Sequence, residues 1–196
     1  MEAPRSLHFG NTSVPWTVGW SGEESFYVGH CRFSDRLAIC QAEAPGVGKP
    51  TFGKPHCQRQ RQCIAEGRCD LCGKSLKLAT KVSLSHARPV GHGAQGLAIL
   101  QVEPLLHREC AAISMRFCPS LKRDIAAGAL MVRQVTRWRV QFAIMGPQYV
   151  SAYVPTYAAK PADRIVGAAK VELLRWIDRD ADWLERQAIE RAAGIA

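Results

Sequence analysis

Two short pairs of residues carry the clearest chemistry in this chain of 196 residues. In Cys69-Asp-Leu-Cys72 the two-residue gap lets both thiolates reach one tetrahedral ion, and Gly73 permits the tight turn that follows. In His107-Arg-Glu-Cys110 the donors are three apart, so both point from one face of a helix's first turn. Three thiolates and an imidazole suit zinc, which prefers soft and borderline ligands in a closed tetrahedron. With all four positions filled by protein there is no place for a catalytic water, so the expected cofactor is one structural zinc. Cys118 is an alternative fourth ligand in place of His107 if the helix ends there. The alternative to any metal is a set of reduced thiols beside a histidine at a helix start.

Cysteine usage has to be read against compartment. The first residues are polar and aromatic rather than an apolar signal core, and no run of about 18 apolar residues occurs. The expected location is therefore the cytoplasm, where the chain's 8 cysteines are thiols or ligands rather than disulfides. Cys31, Cys40, Cys57 and Cys63 lack the two-residue gap and read as buried thiols. A second metal on His56, Cys57 and Cys63 is the alternative for that stretch.

The elements that must position these groups point to an α+β fold, a zinc module with flanking β-hairpins and a C-terminal amphipathic helix. Residues 1–48 read as a β-rich segment, with strands at 16–20, 25–30 and 36–41. Residues 49–124 form the zinc-binding module. It follows a Pro/Gly-rich loop over 44–55 and contains a helix from 56 to about 66, the cysteine turn, and a second helix starting close to Pro104. The Cys118-Pro119 step ends or redirects that helix. A turn, a hairpin, and then a helix with two ligands in its first turn is the treble-clef arrangement.

Residues 125–196 read as a hairpin plus the terminal helix, packed with the module as one domain. Over 131–145 the pattern has period two. Val132, Thr136, Trp138, Val140, Phe142 and Ile144 lie on one face, and Arg133, Arg137, Arg139 and Gln141 on the other. Gly146-Pro147 would turn the chain into a partner strand at 149–154. From Pro161 onward, Val171, Leu174, Ile177, Ala181, Leu184, Ala188 and Ala192 recur at helical steps.

Two resemblances emerge from these motifs. Ser85-His-Ala-Arg-Pro-Val-Gly-His-Gly resembles the first catalytic strand of HNH endonucleases, which also use a treble clef. The resemblance implies that His86 would activate water, and it makes His86 the candidate catalytic residue of a metal-dependent nuclease. The chain departs from that family at two roles. Ala111 stands where a metal-binding histidine commonly follows the last helix ligand, and no asparagine lies between Gly91 and Pro104. One histidine alone cannot run metal-assisted phosphodiester cleavage, so the nuclease reading is the lesser one, and His86 and His92 read as polar loop residues near the zinc site.

The second resemblance covers roughly the last two thirds of the chain. Arg68-Cys-Asp-Leu-Cys-Gly-Lys-Ser-Leu, then Glu103-Pro-Leu-Leu-His-Arg-Glu-Cys-Ala-Ala, then Phe117-Cys-Pro-Ser-Leu, is similar to a family of uncharacterised bacteriophage and prophage zinc-binding proteins. The similarity continues through Val135-Thr-Arg-Trp-Arg. Leu105-Leu106 replaces the proline and small residue that the family often has, and leaves the ligands untouched. The resemblance implies a bacterial host cell as the setting, and no particular reaction.

Charge narrows the partner. The net charge is +9 and the pI near 9.4, and the excess lies before Pro161, in the part with the cysteines. A basic balance suits a polyanion, and the candidate nucleic-acid contacts are Arg59, Arg61, Arg133, Arg137 and Arg139. A host protein, such as a polymerase or a defence complex, is the alternative partner, and balanced charge on the C-terminal helix suits it. No membrane partner is expected.

Overall fold

The structure, a computed structural model, describes residues 7–91 and 96–192, with side chains of the last helix described as far as Arg186. His92, and the side chains of Ala188 and Ala192, lie outside the described residues. The chain begins with an antiparallel hairpin of β1 (Leu7–Phe9) and β2 (Thr12–Val14), followed by β3 (Val18–Trp20). A second hairpin pairs β4 (Phe26–Cys31) with β5 (Arg36–Gln41). The Pro/Gly-rich passage is only half a loop, because β6 (Pro50–Pro55) pairs antiparallel with β3. Its prolines stand at the two ends of the strand, where a missing N–H costs least.

Helix α1 (Cys57–Glu66) forms where the sequence predicts. The His56 ring accepts the Arg59 N–H at 3.3 Å as its N-cap, and Gly67, at φ 61°, ends the helix in the left-handed conformation. Then come β7 (Lys81–Ser85), β8 (Val90–Gly91), β9 (Leu97–Gln101) and the short β10 (Leu106–His107). Helix α2 (Arg108–Phe117) follows, and Pro119 starts α3 (Pro119–Ala126), so the redirection expected at Cys118 is present. The remaining elements are β11 (Met131–Ile144), α4 (Pro147–Tyr153), β12 (Val166–Arg179) and α5 (Ala181–Ala192).

Two expectations for the last third are overturned. The segment after Gly146-Pro147 is helix α4 rather than a strand. Proline fits a helix's first position, and Val150 and Val154, four apart, pack with Ile39 and Ile165. The true partner of β11 is β12, which occupies most of the span read as a helix. Apolar residues at 171, 174 and 177 fit a helix, but the run Val-Glu-Leu-Leu-Arg-Trp-Ile also fits a strand. In the fold Ala169, Val171 and Leu173 alternate into the core. Only α5 remains helical, begun by the Asp180 side chain, which accepts the Trp183 N–H at 2.7 Å.

The main sheet runs β10-β7-β11-β12-β5-β4, with β9 also on β12 and β8 on β9, so it takes strands from all three sequence segments. A bulge between Val135 and Trp138 shifts the register of β11. Val135 is consequently buried and Thr136 exposed, the reverse of the alternation read from sequence. On its other edge β12 meets β5 at Val166 and β9 at Val171–Leu173, leaving a gap between. The Gln60 side chain fills it. Its Nε2 donates to the Ala169 and Val102 carbonyls (2.8 and 2.7 Å), and its Oε1 accepts the Ala169 N–H at 3.1 Å, as the peptide group of a missing strand would. No helix among the described residues is long and apolar enough to cross a membrane.

Candidate metal centre

The centre is assembled from two chain segments locked to each other. After Gly67, an antiparallel bridge joins Arg68 to Ser75 and frames the cysteine turn. Within it Cys69 donates its N–H to the Lys74 carbonyl, and Gly73, at φ 65°, donates to the Cys69 carbonyl, both at 2.8 Å. A side chain at position 73 would strain that conformation. The Asp70 N–H donates to the Leu105 carbonyl at 3.0 Å, tying the turn to the segment that enters α2. His107 is the N-cap residue of α2 and Cys110 lies in its first turn.

These elements bring Cys69, Cys72, His107 and Cys110 together, with one donor atom from each lying within 4.8 Å of all the others. His107 Nδ1 is 3.4 Å from Cys72 Sγ and 3.8 Å from Cys110 Sγ. Ligands on a tetrahedral ion with bonds of about 2.0–2.3 Å stand about 3.3–3.8 Å apart, the range of these two separations, so the cluster can hold a metal ion. His107 Nε2 lies 3.0 Å from the Ser75 carbonyl, which takes the ring's one N–H and leaves Nδ1 as the donor atom. The His107 backbone N–H points at Cys69 Sγ from 3.4 Å and favours a thiolate there.

Electrostatics agree with a ligand role. Hydrogen bonds from the Cys110 and Cys72 side chains hold the Cys69 thiol down to about 4, while Cys110, crowded by the same two sulfurs, is pushed up. Cys69 and Cys110 thus oppose each other's ionisation, and a cation between them removes that conflict. Cys69 is wholly buried, and Leu71, Leu76 and Ala111 of the main core pack around the site.

The alternative ligands are placed elsewhere. Cys118 sits beyond the last turn of α2, about 12 Å of helix rise from Cys110, and is not in the cluster. His56 is buried with Nε2 on the Ala42 carbonyl at 2.9 Å, Cys63 points to the Cys69 carbonyl, and Cys57 lines a separate cleft of about 730 Å³. They form no metal group among the described residues. His86 is half exposed, its Nε2 3.3 Å from Asp124 Oδ2.

Three of the five candidate nucleic-acid arginines are inside the protein. Arg59 is 3% exposed and clasps Glu23 with both guanidinium nitrogens, at 2.6 and 2.7 Å. Arg61 is fully buried and donates to the Gly167 and Ile39 carbonyls, at 2.9 and 2.7 Å. Arg133, 1% exposed, donates to the Ala87 carbonyl and pairs with Asp178. None of the three can meet a phosphate without unfolding its surroundings. Arg137 and Arg139 do reach the surface, and Arg139 also binds Glu172.

A group missed in the sequence lies beside them. Arg175, read there as part of a helix, stands directly across from Arg137 in the β11–β12 pair, and both are exposed. Once β12 is recognised as a strand, its charge pattern is the signal that would have found it. No family model, curated protein or solved structure matches the chain.

Proposed function

We propose that the four donors hold one structural zinc in a treble-clef arrangement and that the protein binds nucleic acid through its basic surface. The donor set supports zinc over harder ions, since three of the four ligands are sulfur. The order of parts supports the treble clef, with a cysteine turn first and last a helix that supplies two ligands from its start. The closed tetrahedron gives the ion the role of holding the turn against α2.

One observation carries the nucleic-acid reading, the exposed pair Arg137 and Arg175. Like charges directly opposite across a strand pair destabilise a sheet, and a bound polyanion reverses that cost. Arg139 continues the row on β11, and the net charge of +9 supplies the long-range attraction. The resemblance of the cysteine and histidine motifs to those of phage proteins supports a bacterial host cell as the setting, as part of the same proposal.

The test is metal analysis of the purified protein together with duplex and single-stranded nucleic-acid binding at low and moderate salt. One zinc per chain and binding that falls steeply with salt is the expected result. A protein without metal would overturn the zinc reading, and no binding at low salt would overturn the nucleic-acid reading.

A further inference from the structure

Leu78 combines two features that folding does not favour. Its φ is 65°, and it is 98% exposed. It is the third residue of a turn closed by the Ala79 N–H on the Leu76 carbonyl at 3.1 Å. Glycine takes that position without steric cost, whereas leucine is strained there. Burial does not compensate, because almost the whole side chain is in solvent. Backbone strain of this kind gathers where a protein meets a ligand.

The loop below the tip is firmly held. Leu76 is buried, with its N–H on the Gly67 carbonyl at 2.8 Å, and Ser75 is fixed both by its bridge to Arg68 and by the His107 ring. The metal centre therefore sets the base of the loop that presents Leu78. Lys74 and Lys77 extend from the same loop into solvent, with no acidic partner within salt-bridge distance among the described residues. Lys81 closes its far end, Nζ on the Ala79 carbonyl at 3.0 Å. Beside the tip is a hollow of about 380 Å³ lined in part by Ser75, Lys77 and Thr80, with Glu109 at its α2 side.

From this arrangement we infer that Leu78 is a wedge that enters a base step of duplex DNA while Lys74 and Lys77 hold the flanking phosphates. Apolar side chains inserted between base pairs, flanked by cations on the backbone, are an established way of unstacking and bending DNA. An apolar groove on a protein would also accept a leucine, but it would not account for two unpaired lysines beside it. The inference rests on the nucleic-acid reading above and adds to it the contact residue and its action.

The experiment uses the full chain with a short DNA duplex carrying 2-aminopurine, whose fluorescence rises on unstacking, and compares wild type with Leu78→Gly and Leu78→Ala. Wild type should bind and raise the fluorescence. Leu78→Gly should bind about tenfold more weakly, with an unchanged salt slope and no fluorescence rise, while melting at the same or a higher temperature because the strain is gone. Leu78→Ala should lose the fluorescence rise as well. Wild-type binding without unstacking, or a glycine variant that unstacks like wild type, would overturn the wedge and leave nucleic-acid binding standing. Absence of any wild-type binding at low salt would overturn both and turn the search for Leu78's contact towards a protein groove.

Discussion

Arg59 and Glu23 form a two-pronged ion pair inside the protein, joining helix α1 to the turn after β3. Its remaining valences are also filled. Glu23 accepts the Trp20 and Ala44 N–H groups at 2.8 and 2.9 Å, and Arg59 donates to the Trp16 and Val18 carbonyls at 2.8 and 2.9 Å. Removing one partner strands the other charge away from water. Arg59→Ala should therefore cost about 3–5 kcal/mol in urea denaturation, and Arg59→Ala with Glu23→Ala should cost less than the sum of the two single changes. Additive losses would mean that the pair does not act as a unit.

The same network makes stability depend on pH through His56. Burial lowers the His56 ring below its usual value of 6.5, helped by the neighbouring Arg59 charge and opposed by the Ala42 carbonyl, Glu23 and Glu43. A depressed histidine binds its proton in the unfolded chain first. Its contribution to stability is thus complete above about pH 6.5 and is lost as pH falls below that, by up to about 1.4 kcal/mol per pH unit. Burial alone would raise Glu23, but the hydrogen bonds from Arg59 and from the Ala44 and Trp20 N–H groups bring it below 4.5, so its own loss begins further down. Any bound metal would also be lost in acid, so the measurement is the difference between wild type and His56→Gln at each pH. That difference should shrink from pH 7 to 5, and a constant difference would count against the assignment.

The metal cluster was legible because its signal is local. Two-residue and three-residue spacings survive any uncertainty about the surrounding fold, and the four donors meet as the spacing implies. Helix α1 was legible for the same reason, from a run of good helix formers and a glycine stop at Gly67. The last third was not. Val-Glu-Leu-Leu-Arg-Trp-Ile is apolar at both helical and alternating steps, and only its pairing with β11 decides between them. The arginines of α1 misled for a related reason. Gln-Arg-Gln-Arg-Gln reads as a solvent face, but Arg59, Gln60 and Arg61 serve backbone groups and an acid that the sequence places 20 to 110 residues away.

Loss of a metal ligand should behave differently from loss of the Arg59–Glu23 pair. Leu71, Leu76, Cys69 and Cys110 belong to the main core, so an ion held by the cluster would stabilise packing that extends to β7 and β11. Structural zinc contributes on the order of 10 kcal/mol to small modules, comparable to the total stability of a typical domain. Cys69→Ser or Cys110→Ser, or a strong chelator added to wild type, should release the metal and abolish cooperative melting of the module. Retained metal with an unchanged melting curve in either variant would count against the site.

Arg137 and Arg175 separate binding from folding. Both are exposed and face each other across β11 and β12, so replacing either by glutamine removes a repulsion and should leave stability unchanged or raise it by a few tenths of a kcal/mol. If both meet phosphate, the double variant should bind nucleic acid more weakly at every sequence. Its dependence of log affinity on log salt should be shallower by about 1.5–2 than that of wild type. Glutamine at the buried Arg61 should do the opposite, lowering the melting temperature through the lost bonds to the Gly167 and Ile39 carbonyls while the salt slope of the folded fraction stays the same. If the double variant keeps the wild-type slope, the arginine row on this face is not where nucleic acid binds.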